Sequence, residues 1–253
     1  MWGDKTHPQI WEWDYLGMKP LLREITQFTH SLPGSYRLLD LGCGSKPYRS
    51  LFKGATEYIG LDIVPGPQVD IVGEAWHLPF PDASFDVLIT TQVFEHTMKL
   101  TETMAEIRRV VKPGGYIFIS APFAFQEHGA PYDYWRFTQF GLRTLAGDLQ
   151  IDRIVPLQGF FLTQRRLLNA FLINHGPRPF FEYLLIPIVL WNNCSALILD
   201  WLYRVIILGF IPGVLKLILR RPLKTYHEHY RREYWALPEN YCMVIRNQHA
   251  SNG

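Results

Sequence analysis

The sequence predicts an α/β fold, a mainly parallel sheet covered by helices on both faces, with an apolar helical insertion before the last strand. Three observations predict it. Short apolar runs alternate with segments of helical spacing from residue 36 to about residue 157. The runs are close to continuously apolar, as in strands buried on both faces. Residues 180–219 are far more apolar than the rest, and one more strand-like run follows them.

Taken in order, residues 11–30 read as an amphipathic helix stopped by Pro33-Gly34. Tyr36–Leu41 is the first strand, ending in Asp-Leu-Gly, and 46–52 a short helix. Residues 57–62 (EYIGLD) form the second strand, 69–72 a brief third and 85–90 (FDVLIT) the fourth. Residues 101–111 have helical spacing at Met104, Ile107 and Val111, and Pro113-Gly114-Gly115 stops that helix. Residues 116–120 (YIFIS) are the fifth strand. A helix over 138–146 is capped by Thr138 and ends near Gly147. Residues 151–157 are the sixth strand and 241–246 the last.

With 253 residues, 48% hydrophobic and 19% charged, the chain can bury a full core and is too apolar to be disordered. A net charge of +2 gives no field that would favour nucleic acid, and none is expected as a partner. Arg165, Arg166, Arg178, Arg220, Arg221, Lys224, Arg231 and Arg232 nevertheless crowd the C-terminal third. Cys43, Cys194 and Cys242 are far apart and odd in number, so neither a disulfide framework nor a zinc pattern is expected. The N-terminus has no apolar h-region, so no cleavable signal peptide is expected and cytoplasmic residence is the default.

In such sheets ligands bind beyond the carboxyl ends of the strands, at the switch point of strand order. The segment LLDLGCGSKPY places Asp40, Gly42, Cys43 and Gly44 at such a strand-to-helix turn. Glycines there allow a close approach of backbone to ligand, and the N-terminus of the next helix offers free N–H groups. Asp62 ends the second strand about twenty residues on, where an acid can accept hydrogen bonds from ribose hydroxyls. Glu74 precedes an LPF turn, TQVFEH closes the fourth strand, and RRVVKPGGYIFIS introduces the fifth. A dinucleotide-dependent dehydrogenase would need Gly-x-Gly-x-x-Gly, but position 47 is proline.

Over residues 38–120 these motifs resemble, in order, type and spacing, the type-11 methyltransferase domain family of class I S-adenosylmethionine enzymes. The resemblance implies a Rossmann-like seven-stranded sheet with an antiparallel last strand, and S-adenosylmethionine as cofactor, leaving S-adenosylhomocysteine. It implies that Asp40, Gly42, Cys43 and Gly44 flank the methionine portion, Asp62 holds the ribose, and Ile63 packs on the adenine. Glu74 and Ala75 are implied at the adenine edge, and Gln92 beside the methionine moiety. Where the family often has a third glycine, Ser45-Lys46-Pro47 stands here, which leaves the contacts of residues 45–48 open.

The loop after the fifth strand, APFAFQEHGAPYDYWRFTQF, is dense in His, Asp, Tyr, Trp and Arg. Loops on a rigid sheet are where binding residues gather. EHGAPYDYWRFT resembles a subgroup of bacterial methyltransferases associated with surface-polysaccharide and glycan assembly. A hydroxyl acceptor must lose its proton as the new bond forms, and a histidine within hydrogen-bond reach is the usual base. His128 is the first candidate, with Asp133 as second base or as the group that orients the histidine. Glu127, Tyr132, Tyr134, Trp135 and Arg136 are candidates to shape the acceptor site. Alternatives stay open: His128 as a loop histidine held by backbone, Trp135 and Phe137 as core, Arg136 as a partner of Asp133 or Glu127, and His96 as a structural hydrogen-bonder. No ligand spacing supports a metal site among His96, Glu127, His128 and Asp133, and no metal is expected. His227-Glu228-His229 reads as a solvated polar stretch.

Two domains are expected: a methyltransferase domain over 1–164 and 233–253, and an apolar, basic helical insertion over 165–232. Within the insertion, one apolar arm (183–191) is too short to span a bilayer. A second (196–215) is long enough but carries Asp200, Arg204 and Pro212-Gly213. Asp200 and Arg204 are spaced to pair on a helix. Basic clusters on both flanks and the return of the chain to the sheet disfavour a single span. A monotopic or re-entrant contact through 180–219 at the inner face of the membrane is expected, with a packed lid or dimer interface as the alternative. The expected reaction is methyl transfer to a hydroxyl of a glycan or lipid-linked molecule. The alternatives are a quinone-like small apolar acceptor, or a non-catalytic scaffold of the same fold at the membrane.

Overall fold

The computed structural model of the chain describes residues 5–175, 181–210 and 237–249. Two compact units are present: Met1–His7, Leu21–Val155 and Asn240–Gly253 form one, Pro8–Pro20 and Pro156–Glu239 the other. Residues 8–20 and 156–164 thus group with the apolar helices. The polar stretch at 227–229 and the basic residues at 220–232 lie outside the described residues.

The first unit is built on seven strands: β1 (Tyr36–Leu41), β2 (Ala55–Asp62), β3 (Ile71–Val72), β4 (Phe85–Thr91), β5 (Val111–Pro122), β6 (Leu149–Pro156) and β7 (Asn240–His249). Their order is β3-β2-β1-β4-β5-β7-β6. β1 pairs in parallel with β2 and β4, β2 with β3 and β4 with β5, whereas β7 runs antiparallel to β5. The implied seven-stranded, mostly parallel sheet is therefore the observed one. Its strand order reverses between β1 and β4, so the tips of β1, β2, β4 and β5 border the crevice.

Helices α1 (Tyr15–His30), α2 (Leu100–Val110) and α3 (Gln139–Ala146) bury the faces predicted by their apolar spacing. Phe28 of α1, fully buried, packs on Phe118 of β5 with ring centroids 5.3 Å apart. Met104, Ile107 and Val110 of α2 and Leu142 of α3 join the core that includes Leu39, Leu88 and Ile119. Thr138 caps α3 as expected, its Oγ1 accepting from the Gly141 N–H at 3.1 Å, and Gly147 ends the helix at φ 63°.

Two local expectations are corrected. The helix expected over 46–52 is only a 3₁₀ turn, Arg49–Leu51, because the chain ahead of it passes through Lys46 at φ 52° and Pro47. Pro113-Gly114-Gly115 does not separate α2 from the strand by a loop. β5 begins at Val111 and carries the three residues, with an irregular register opposite Phe85 and Val87. Gly115 permits this, since a Cβ there would meet the Asp86 and Lys112 carbonyl oxygens at 2.9 Å.

The second unit contains α4 (Phe160–His175), which begins five residues ahead of the helical insertion expected from residue 165, and α5 (Phe181–Leu202), continued as π-helical turns over Tyr203–Phe210. Within the described residues, up to 210, the two expected apolar arms are continuous across Asn192-Asn193-Cys194-Ser195. Asparagine is a poor helix former because its amide competes for backbone groups, but here the amides are engaged elsewhere. The buried Asn192 donates to Asn169 Oδ1 (3.0 Å), Asn169 donates to Asn193 Oδ1 (2.8 Å), and Asn193 donates to the Ile10 and Glu12 carbonyls (2.6 and 3.1 Å). Arg166, expected in the basic flank, instead points inward. It is 7% exposed, stacks 4.2 Å over the Trp13 ring and lies 3.6 Å from Glu239. The expected Asp200–Arg204 pair forms at 2.6 Å.

Candidate functional site

The turn after β1 is held from both sides. The Gly42 and Cys43 N–H groups donate to the Leu61 carbonyl (2.8 and 3.1 Å), tying the turn to the tip of β2. Gly42 has φ 73°, and a Cβ on it would lie 2.2 Å from Val93 Cγ2, so the turn also packs directly on the segment after β4. Gly44, φ 48°, faces open space, with no atom within 4 Å of where a Cβ would be. Its N–H donates to Asp62 Oδ2 at 2.9 Å, and Asp62 Oδ1 accepts from Val64 N–H at 2.9 Å. Asp62 is thus preset at the end of β2, with Ile63 beside it 60% exposed.

Asp40 lies beneath this turn, 3% exposed, accepting from the Tyr58 hydroxyl at 2.7 Å. Burial pushes its carboxyl up to about 7, opposed by the Tyr58 hydrogen bond and the Lys46 charge. Cys43 is buried too; burial and then the Asp40 charge push its thiol up to about 12, leaving a neutral packing group. Its sulfur and Lys46 fill the space over Gly60, where a Cβ would meet them at 2.6 and 2.3 Å. Lys46 takes the left-handed conformation of the missing third glycine and sends its ammonium inward to Asp70, which also accepts from Gly60 N–H at 2.6 Å. Lys46, Tyr58 and Asp70 were not anticipated, although the departure at 45–47 pointed to Lys46.

Glu74 is exposed and Ala75 half-buried against the core, both in the segment after β3. Gln92 follows β4 at φ 55°, its N–H donating to the Ser120 carbonyl (3.0 Å) and its amide to Ser120 Oγ (3.1 Å). These residues fit an adenosyl cofactor: an open glycine turn, a preset carboxylate, and an exposed aliphatic surface next to it.

The β5–α3 loop lies at the same end of the sheet. Asp133, its side chain 1% exposed, is clamped by Arg136 (2.6 and 2.7 Å) and accepts from His128 N–H at 2.7 Å. The Arg136 guanidinium holds the Asp133 carboxyl well below the usual carboxylate range, so of its two expected roles Asp133 fits the orienting one. Arg136 also donates to the Phe125 and Gln126 carbonyls (3.2 and 2.9 Å), so its donors serve the loop. Trp135 is 42% exposed and donates to the Thr97 carbonyl (2.9 Å), whereas Phe137 is core. Tyr132 and Tyr134 are 64% and 37% exposed, and Glu127 is exposed.

His128 is half-buried, and burial lowers its proton affinity. Its ring meets that of His96 edge-on at 4.8 Å. Gly129, φ 68°, lets the loop close on His96, since a Cβ there would be 3.1 Å from the ring. Behind both rings is Glu95, fully buried, with Oε1 3.9 Å from each Nε2. Burial pushes its carboxyl up to about 8. Glu95 was not singled out by the sequence analysis, though FEH at the end of β4 contains it.

Residues 39–119 match the model of the methyltransferase domain family. Demethylmenaquinone methyltransferase of Symbiobacterium thermophilum is 31% identical over 139 residues, 47% of this chain and 52% of that protein. Malonyl-[acyl-carrier protein] O-methyltransferase of Serratia marcescens is 28% identical over 141 residues, 50% of this chain and 51% of that one. The chain thus spans about half the length of these curated relatives. The solved structure of the [4+2]-cyclase SpnF is similar in fold, with TM-score 0.53 and 18% identity, over 92% of this chain and 82% of that one. Residues 39–119 are thus similar to methyltransferase domains, and these matches point to S-adenosylmethionine as the methyl donor.

Proposed function

We propose, from a methyltransferase domain over residues 39–119, that this chain transfers the methyl group of S-adenosylmethionine to a hydroxyl of a glycan or lipid-linked acceptor. The observation that carries the cofactor half is Asp62, its carboxylate preset over Gly44 at the switch point of the sheet. Asp62 would bind the ribose hydroxyls, Ile63 the adenine face, Glu74 and Ala75 its edge, and Gly42, Gly44 and Gln92 the methionine portion. When bound, the cofactor supplies an electrophilic methyl group on a sulfonium. The chain's part is alignment, which can be worth roughly 7–11 kcal/mol, and control of the acceptor's proton. His128, oriented through Asp133, is the residue for that second task, with Tyr132, Tyr134 and Trp135 exposed along the same loop.

A non-catalytic scaffold has no use for a preset ribose acceptor, which disfavours that reading. The SpnF likeness nevertheless warns that the fold also serves another reaction. A quinone-like acceptor is the second reading, supported by the name of the Symbiobacterium relative and by the apolar helix Leu185–Ile206. The same apolar helix supports our proposal of a contact with the inner face of a membrane through 180–219.

The test is calorimetric titration of S-adenosylmethionine and S-adenosylhomocysteine into the detergent-purified chain and its Asp62→Ala variant. Micromolar binding, weakened by about 10- to 100-fold in the variant, is expected from the loss of hydrogen bonds to a charged group. No binding by folded protein refutes the reading. His128→Ala is then expected to abolish transfer to a membrane-lipid or glycan extract while leaving cofactor affinity nearly unchanged. Label recovered in a hydroquinone would decide for the second acceptor class.

A further inference from the structure

Glu95 has no hydrogen-bond donor at either carboxylate oxygen, although it is fully buried. An ionised carboxylate left that way is costly by several kcal/mol, so something that is positively charged belongs beside it. The Arg136 charge acts on it from beyond ion-pair distance; within the described residues, the nearest groups that could carry or hold charge are two imidazoles, and their tautomers can be read from their other nitrogens. His96 Nδ1 lies 2.6 Å from the Tyr132 carbonyl, an acceptor only, so Nδ1 carries the proton. His128 Nδ1 lies 3.2 Å from the Gln126 carbonyl and 3.4 Å from the Asp133 carboxylate, again acceptors only. In the neutral rings each Nε2 therefore presents a lone pair, and both are 3.9 Å from Glu95 Oε1.

A proton on Glu95 removes its charge but leaves its oxygens unbonded, because 3.9 Å is too long for a hydrogen bond to either Nε2. An ion drawn between the three groups would bond to all of them. One ligand atom from each of Glu95, His96 and His128 lies within 4.8 Å of the other two. Ligands at about 2.0–2.2 Å from a common centre stand roughly 3–3.5 Å apart, so closing on an ion needs inward movement of the order of an ångström. Metal-binding histidines usually donate their other N–H to a carbonyl or carboxylate, as both do here.

We propose that Glu95, His96 and His128 form a binding site for one divalent transition-metal ion. Two imidazoles and one carboxylate suit zinc, iron(II), cobalt(II) or manganese(II), and three protein ligands leave open positions, the pattern of sites that bind a substrate oxygen. The site follows β4 and borders the β5–α3 loop, and Val93, two residues before Glu95, packs on the glycine turn. The ion would hold an acceptor hydroxyl at that end of the sheet and lower its proton affinity. His128 would then act as a ligand and not as a free base, and the proton of the acceptor hydroxyl would pass to water. This role, though not the binding itself, rests on the methyltransferase reading above.

The test is calorimetry of zinc chloride, and visible spectroscopy of added cobalt(II), with the chelator-treated full chain and its His96→Ala and Glu95→Gln variants. S-adenosylmethionine titration runs in parallel. The expected result is one zinc per chain with loss of more than about 100-fold in affinity in either variant, beyond the cost of removing a supporting group. Intense d–d bands of low-coordinate cobalt should appear in the parent only. A chain that binds the cofactor but no zinc, or variants that bind zinc as the parent does, would overturn the metal site and leave the methyltransferase reading standing. Failure of cofactor binding would strike that reading instead. If one variant does not fold, His96→Gln and the cobalt spectrum decide.

Discussion

Tyr58 donates its hydroxyl hydrogen to Asp40 Oδ2 across 2.7 Å, and both side chains are shut off from water beneath the glycine turn. Burial raises the Asp40 carboxyl from 3.8 to about 7, more than the Tyr58 hydrogen bond and Lys46 charge lower it. Between those values the folded chain keeps a proton that the unfolded chain has lost. The stability this contributes is full below about pH 4, falls as pH rises toward 7, and is absent above it. Asp40→Asn cannot titrate. The difference in urea midpoint between parent and variant should therefore shift in the variant's favour from pH 4.5 to 7.5, by an energy on the order of a few kcal/mol. A difference constant across that window would contradict the burial argument.

Lys46 and Asp70 form a pair that is unequal in exposure, with 3% of the lysine side chain exposed and 47% of the aspartate. The two truncations should therefore be unequal as well. Asp70→Ala strands a buried ammonium and removes the acceptor of the Gly60 N–H, for an expected loss of about 3–5 kcal/mol. Lys46→Met keeps the chain packed over Gly60 and Tyr58 and leaves Asp70 half in water, for a loss of about 1.5 kcal/mol or less. Chemical denaturation of both variants at neutral pH measures the asymmetry. Equal losses would mean that the pair is hydrated in solution.

The same neighbourhood illustrates what could be read from the sequence. The strands, their alternation with helices and the positions of Gly42, Gly44 and Asp62 follow from periodicity and local turn chemistry, which a sequence displays directly. Lys46 could not be placed, since its inward course depends on Gly60 and Asp70 being brought next to it by β2 and β3. Glu95 was passed over for a related reason: of its two imidazole neighbours His96 is next in sequence, but His128 comes near only because the β5–α3 loop folds back over the end of β4. Residues 192–195 fall between the two apolar arms expected from the sequence; asparagine is a poor helix former, and the partners that overrule this preference, Asn169 and the carbonyls of Ile10 and Glu12, are distant in sequence.

Those same asparagines bear on how the apolar helix would meet a membrane. Leu185–Ile206, 22 residues, is long and apolar enough to cross a bilayer by length and composition. Yet Asn192 and Asn193 are buried and hydrogen-bonded within the second unit, so one face of the helix is committed to protein. Among the described residues, Trp191, Ile198 and Trp201 are 72%, 58% and 60% exposed and, at steps of seven and three, share another face. A helix with one face on protein and a tryptophan-bearing face outward suits the bilayer interface better than its interior. The full chain should therefore float with phosphatidylglycerol vesicles, and its tryptophan emission should shift to the blue on binding. Trp191→Ser with Trp201→Ser should weaken binding by about tenfold or more without altering affinity for S-adenosylmethionine. Binding that is absent from the parent, or unchanged in the double variant, would remove the interfacial contact and leave this face to a protein partner.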